Sequence, residues 1–110
     1  MKLPNGERAV VAIEKLRHYC LNPLHPRGRH KARVFATRAG LTGRDAEQLR
    51  DLLLAAARQN DAAPAGKDEY GQRYTLDLQV PGQSGPVQVR SLWIVRAGEE
   101  FPSLASCYVL

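Results

Sequence analysis

The chain has 110 residues, 16 lysines and arginines against 11 aspartates and glutamates, and a formal net charge of +5. That length fits one domain with its own core, and a composition of 44% hydrophobic and 25% charged residues excludes disordered and collagen-like classes. The longest apolar run, residues 52–57, is far short of the ~20 residues a bilayer span needs, so no membrane partner is expected.

Taken in chain order, Ala9-Val10-Val11 reads as a short edge strand. Ile13, Leu16, Cys20 and Leu21 then fall at helical spacing, which predicts a first helix over residues 12–21. Asn22-Pro23 ends it, because the residue before a proline avoids the helical region. His25-Pro26 reads as the next helix start, since proline is tolerated where its missing N–H has no intrahelical partner. Ala32, Phe35, Ala36 and Ala39 mark the buried stripe of that helix, and Gly40 suits its C-terminal cap. Thr42 with Asp45 reads as a capping pair for a third helix, whose stripe is Leu49, Leu52, Leu53 and Ala56 and which ends near Asn60.

Residues 61–68 are polar with Ala, Pro and Gly, and read as a loop. The period then changes to two. Tyr74, Leu76, Leu78 and Val80 alternate with Arg73, Thr75, Asp77 and Gln79, the pattern of a half-buried strand. Residues 81–85 form a turn of hairpin length. A second strand over residues 87–95 is apolar on both faces at Leu92-Trp93-Ile94-Val95, which places it centrally. A last strand covers residues 104–110. Helices first and strands after predict an α+β domain over residues 1–110. About three N-terminal helices pack on one face of a C-terminal antiparallel meander of three to four strands.

The charge is unevenly placed. Residues 1–38 carry nine basic and two acidic groups, a net of +7, while residues 39–110 carry a net of −2. All three histidines, His18, His25 and His30, lie in the basic part. The densest cluster is His25-Pro26-Arg27-Gly28-Arg29-His30-Lys31. Five cationic or imidazole groups around one helix start repel each other unless an anion visits. Gly28 leaves room for a ligand backbone, and Arg27, Gly28 and Arg29 are the expected phosphate-binding positions. His25 and His30 are candidates for proton transfer, Lys31 for charge stabilisation, and Arg73 for a second phosphate clamp. His25 and His30 are five apart, unlike the i, i+4 pair of a helical zinc site, so no metal or cofactor is expected. Cys20 and Cys107 are too few for a disulfide scaffold and read as buried thiols of a reducing compartment. No apolar core follows Lys2, so no signal peptide is expected and the location is read as cytoplasmic.

The pattern Lys15-Leu16, Tyr19, Leu21-Asn22, His25-Pro26-x-Gly28-x-x-Lys31-Ala32, Phe35, Tyr70-Gly71-x-Arg73-Tyr74, Trp93-Ile94 and Pro102-x-Leu104 is similar to an uncharacterised bacterial domain family of unknown function. The resemblance runs from about Ala9 to Val109. Domains of this kind look like toxin modules, which implies a bacterial toxin–antitoxin setting. The order of helices and sheet also resembles the barnase, EndoU, colicin and RelE group of metal-independent ribonucleases. His25, Gly28, Lys31 and Arg73 carry over as motif positions, whereas His30 falls at a variable one.

Three functions follow as expectations. One is a small metal-independent endoribonuclease with His25, His30, Lys31 and Arg73 in the chemistry. The second is a nucleic-acid or polyanion-binding module without chemistry. The third is an interaction partner of a small cognate antitoxin or immunity protein, paired through an exposed edge of the last strand.

Overall fold

The computed structural model describes residues 1–110. Three helices form one layer and a four-stranded antiparallel sheet the other. A single 3-10 turn at Gly6–Arg8 precedes them. Helix α1 spans residues 13–20, α-helical at Ile13–Lys15 and widened to π spacing over Leu16–Cys20. Helix α2 spans residues 29–39, α-helical at Arg29–Val34 and again widened over Phe35–Ala39. Helix α3, Ala46–Gln59, follows a 3-10 turn at Gly43–Asp45.

The ends of these helices follow from local chemistry. Gly40 takes the left-handed conformation, φ 68°, and Leu41 N–H reaches back to the Phe35 carbonyl at 3.2 Å. That closes α2 with a buried hydrophobic residue just past the glycine. At the start of α3, Thr42 N–H donates to Asp45 Oδ2 at 2.9 Å, as the capping pair predicts. The buried stripe of α2 is Ala32, Phe35 and Ala39; Ala36, expected in the stripe, is exposed. The widened spacing over Phe35–Ala39 instead brings Ala39, four residues on, into line with Phe35.

The sheet is a meander in the order β1–β2–β3–β4, with strands Ala62–Asp68, Gly71–Val80, Val87–Arg96 and Ser103–Val109. Strand β1 is the main correction to the sequence reading, which made residues 61–68 a loop. The segment has no β-branched residue and contains Pro64 and Gly66, so it carries no strand signal of its own. Pairing with β2 makes it a strand: Asp68 faces Gly71 across a two-residue turn, and Ala62 faces Leu76. The register slips between Pro64 and Lys67, and nearly all of β1 is exposed. Proline, glycine and an irregular register suit an edge strand that is to stay unpaired on its outer side. Gly71, at φ 143°, is needed where β2 begins, because a Cβ there would run into the Val95 carbonyl. The expected N-terminal strand shrinks to one parallel bridge, in which Val10 N–H donates to the Pro102 carbonyl and Leu104 N–H to the Val10 carbonyl, both at 2.9 Å.

The helix-facing side of the sheet holds Leu76, Leu78, Val80, Val87, Val89, Trp93, Leu104 and Cys107. They meet Leu16, Leu21, Phe35, Leu49 and Leu53 in one continuous core. Strand β3 is central, as its apolar run predicts. Trp93 is fully buried on the helix side, and Ile94 is 6% exposed on the other, between its neighbours Arg73 and Ser103. Burying an indole demands an acceptor for its N–H. Trp93 Nε1 donates to Ser91 Oγ at 2.8 Å, and that hydroxyl donates to the Leu76 carbonyl at 2.6 Å. Replacing Ser91 with Ala removes the acceptor and strands the indole N–H. Urea unfolding is expected to show a loss of roughly 1–3 kcal/mol.

Candidate functional site

The His25–Lys31 segment is the junction between α1 and α2, and most of its motif residues have a visible duty there. The His25 carbonyl accepts from Arg29 N–H at 3.0 Å, so helical hydrogen bonding begins at His25. Its ring performs the cap. Nδ1 accepts from the backbone N–H of Arg27 at 3.0 Å and of Gly28 at 3.2 Å. These are two of the N–H groups a helix start leaves without an intrahelical partner. The ring also stands edge-on to Tyr19, with centroids 4.7 Å apart. With Nδ1 used as acceptor, the proton of the neutral imidazole lies on Nε2. The neutral ring then has no free lone pair with which to take a proton from a substrate.

Gly28 is a packing requirement. A Cβ at this position would lie 2.8 Å from the Tyr19 carbonyl oxygen and 3.2 Å from the Tyr19 ring. The end of α1 therefore comes as close to the start of α2 as a glycine allows. Ala32, one turn later, is buried against the core.

The cations of α2 separate into two groups. Lys31 and Arg38, seven residues apart, lie on the flank toward β4. Lys31 Nζ stands 5.0 Å from the centroid of the Tyr108 ring, and Arg38 Nη1 donates to the Leu110 carbonyl at 2.8 Å. Arg27, Arg29, His30 and Arg33 point to solvent, opposite Ala32 and Phe35. Beside them are two shallow hollows. Arg33, Val34, Thr37 and Arg38 line one; the other runs from Arg38 to the β2–β3 turn at Gln83, Ser84 and Pro86.

Arg73 is not part of this surface. It begins β2 on the outer face of the sheet and binds Asp68 across the β1–β2 hairpin at 3.1 Å. The Arg73 guanidinium, and next the Tyr70 N–H, hold the Asp68 carboxyl below the usual carboxylate range. Tyr108, which meets Lys31, is aligned instead with Arg90 and Asp77. Four residues of strand, at about 3.3 Å each, separate Asp77 from Arg73 along β2. The structure thus brings together His25, Gly28 and Tyr19, and separately Lys31 and Tyr108, but does not gather His25, Lys31 and Arg73 around one concave surface.

The electrostatic pattern is sharper than the sequence count suggested. No acidic residue occurs between Glu14 and Asp45, while Lys15, Arg17, Arg27, Arg29, Lys31, Arg33, Arg38 and Arg44 all fall in that stretch. Of these eight, only Arg17 has an acidic partner, Glu47 at 3.8 Å. The remaining ion pairs, Lys2–Asp61, Arg8–Glu100, Arg73–Asp68, Arg90–Asp77 and Arg96–Glu99, all lie outside it. The signal in the sequence that would have found this face is the gap between acids, which is more telling than the net charge. Strand β4 is an edge strand, as the interaction reading required, with its first residues already bonded to Val10.

A layer of helices on one face of an antiparallel meander, with an acid-free basic helix at its surface, defines the class: a small α+β domain with a cationic face. The chain matches over residues 2–110 a family described as "Domain of unknown function (DUF6883)", and it belongs to that family. No curated protein and no solved structure matches it. No helix is long and apolar enough to cross a membrane.

Three substitutions check these assignments. His25→Ala removes the cap and is expected to cost about 0.5–2 kcal/mol in urea unfolding, whereas His25→Asn, which also caps, recovers most of it. Gly28→Ala is expected to destabilise by about 1–3 kcal/mol through forced separation of the two helices. The third concerns Asp77, whose carboxyl Arg90 holds below its usual value through paired hydrogen bonds of 2.8 and 2.9 Å. A depressed native value stabilises the fold fully above about pH 4, the ordinary unfolded value, and the contribution fades as pH falls through the native one. Asp77→Asn is therefore expected to flatten the acid limb of a Tm-against-pH curve and leave its alkaline side unchanged.

Proposed function

We propose that the solvent face of α2 binds the phosphate backbone of nucleic acid and performs no chemistry on it. The observation that carries this reading is the unbroken run of cations without acidic partners, Arg27, Arg29, Arg33 and their flanking Lys31 and Arg38, whereas Lys2, Arg8, Arg17, Arg73, Arg90 and Arg96 elsewhere are each paired with an acid. Unneutralised charges on one helix face repel each other, and a polyanion relieves that repulsion while releasing its own counterions. Two features support binding over catalysis. The His25 lone pair at Nδ1 is committed to the backbone, and Arg73, the expected clamp, is neutralised by Asp68 elsewhere. The near absence of exposed aromatics around α2 favours binding to phosphates over stacking on bases.

The test is fluorescence anisotropy with a labelled single-stranded RNA at several salt concentrations, with chelator present and a gel of the RNA afterwards. Binding that weakens steeply with salt is expected, with intact RNA. The combined change Arg29→Ala and Arg33→Ala is expected to lower the slope of log affinity against log salt by about 0.7 for each phosphate that is no longer neutralised. Affinity and slope that stay the same in this variant would remove α2 as the binding face. RNA cut by wild type and spared by His25→Asn would replace this reading with the metal-independent ribonuclease of toxin type.

A further inference from the structure

The cationic face of α2 does not stop at the end of the helix. Three shallow hollows run on from it in series. Arg33, Val34, Thr37 and Arg38 line the first, of about 260 Å³. Thr37 and Arg38 also line the second, of about 280 Å³, with Gln83, Ser84 and Pro86 of the β2–β3 turn. Pro86 is shared in turn with a third, of about 410 Å³, at the end of β2. The shared residues make one groove, and no carboxylate lines any part of it. Packing holds its two sides together. A Cβ at Gly82 would lie 3.0 Å from the Arg38 carbonyl oxygen and 2.7 Å from that of Gly85. The turn therefore sits on the end of α2 as closely as a glycine allows, and the groove is preformed.

The middle hollow differs in chemistry from the helix face that leads to it. Thr37, Gln83 and Ser84 are exposed, and the turn is closed by its backbone, Gly85 N–H donating to the Gly82 carbonyl at 3.3 Å. Their polar ends are left for a ligand. Each is neutral and can both donate and accept. Cations alone suit any polyanion. Neutral donor–acceptor groups beside them suit a ligand with hydroxyl and amide edges next to its phosphate. A ribonucleotide is such a ligand, because its 2′-hydroxyl also donates and accepts. Size narrows the class further. At about 280 Å³ the hollow is near the lower end of small-molecule sites, roughly 300 Å³, and holds one nucleoside. A nucleoside enters such a hollow only when it is free of a duplex, which makes the strand single.

We propose that the groove from Arg33 to the β2–β3 turn is a nucleotide subsite that selects single-stranded RNA over DNA. Arg33 and Arg38 hold the phosphate. The Thr37 and Ser84 hydroxyls meet the ribose 2′-hydroxyl, and the Gln83 amide meets the base edge. Arg38 has donors to spare, since only Nη1 is engaged, by the Leu110 carbonyl. The proposal rests on the phosphate-binding reading of α2 and adds the choice of sugar. Charge supplies affinity for either nucleic acid, and the neutral groups supply the difference.

The experiment measures fluorescence anisotropy with three labelled probes. They are a short RNA of mixed sequence, the DNA of the same sequence with deoxyuridine for thymidine, and the RNA annealed to its complement. Wild type is expected to bind the single-stranded RNA about five- to tenfold more tightly than the DNA, as one or two net hydrogen bonds allow. It is also expected to favour that RNA over the duplex. Thr37→Ala combined with Ser84→Ala is expected to erase the difference between RNA and DNA. The variant keeps the wild-type salt slope, because the same phosphates are neutralised. Equal affinity of wild type for RNA and DNA, or a preference for the duplex, would overturn the subsite and leave α2 standing as the binding face. A folded double variant that still prefers RNA would do the same. Binding that is absent for all three probes, or insensitive to salt, would overturn both readings. The wild-type comparison decides the matter even where the double variant fails to fold.

Discussion

The indole N–H of Trp93 has to find an acceptor in the middle of a core that offers almost none, and the fold is arranged around that need. Ser91, two residues earlier on the same face of β3, supplies the oxygen and in turn donates a hydrogen bond to the Leu76 carbonyl of β2. The relay sets β3 against β2 in one register. A slip of one residue would turn Trp93 to the outer face and leave the hydroxyl without its partner. With Trp93 held inward, the same face presents Val89, Leu104 and Cys107, on which the helices rest. The fully buried indole and Phe35 ring provide much of the apolar area that the two layers share.

The second constraint is the close approach of α1 and α2. It accounts for the His-Pro-x-Gly run in local terms: a ring nitrogen that caps two backbone N–H groups, a proline in the first turn, and a glycine against Tyr19. Lys31 and Arg38 then fasten the flank of α2 to the end of β4. Those contacts hold one flank of the helix against the sheet, and its opposite face is left to solvent. Arg29, His30 and Arg33 have no acidic partner there, and Arg29 reaches only the Pro26 carbonyl at 3.4 Å. Placement and charge are divided between two sides of one helix. The face best suited to a polyanion is the one that the packing does not use.

The placement of acidic residues completes the division. Most stand in α3, the hairpins and the outer face of the sheet, where Asp68, Asp77 and Glu99 neutralise arginines of β2 and β3.

Much of the fold was legible in the chain, because its signals are local. Helical spacing from Ile13, the cap at Thr42 and Asp45, the left-handed Gly40 and the alternation from Tyr74 to Val80 reflect preferences of a few neighbouring residues. They predicted three helices followed by a meander, and the two-sided apolar run at Leu92–Val95 placed β3 in the centre. The position of the charge, from His25 to Arg38, was also visible. What the sequence alone did not decide depends on partners distant along the chain. Strand β1 exists because β2 offers it a ladder of hydrogen bonds, although Ala, Pro and Gly argue against a strand. Arg73 and Lys31 shared a motif, but Asp68 takes one and Tyr108 the other. His25 read as a free imidazole, and only the backbone folded beneath it shows where its lone pair goes. Cys20 and Cys107 joined one core through the packing of α1 on the sheet. Dihedral preference and periodicity are written residue by residue, whereas the partner of a charge, a lone pair or a thiol is set by which surfaces the core brings together.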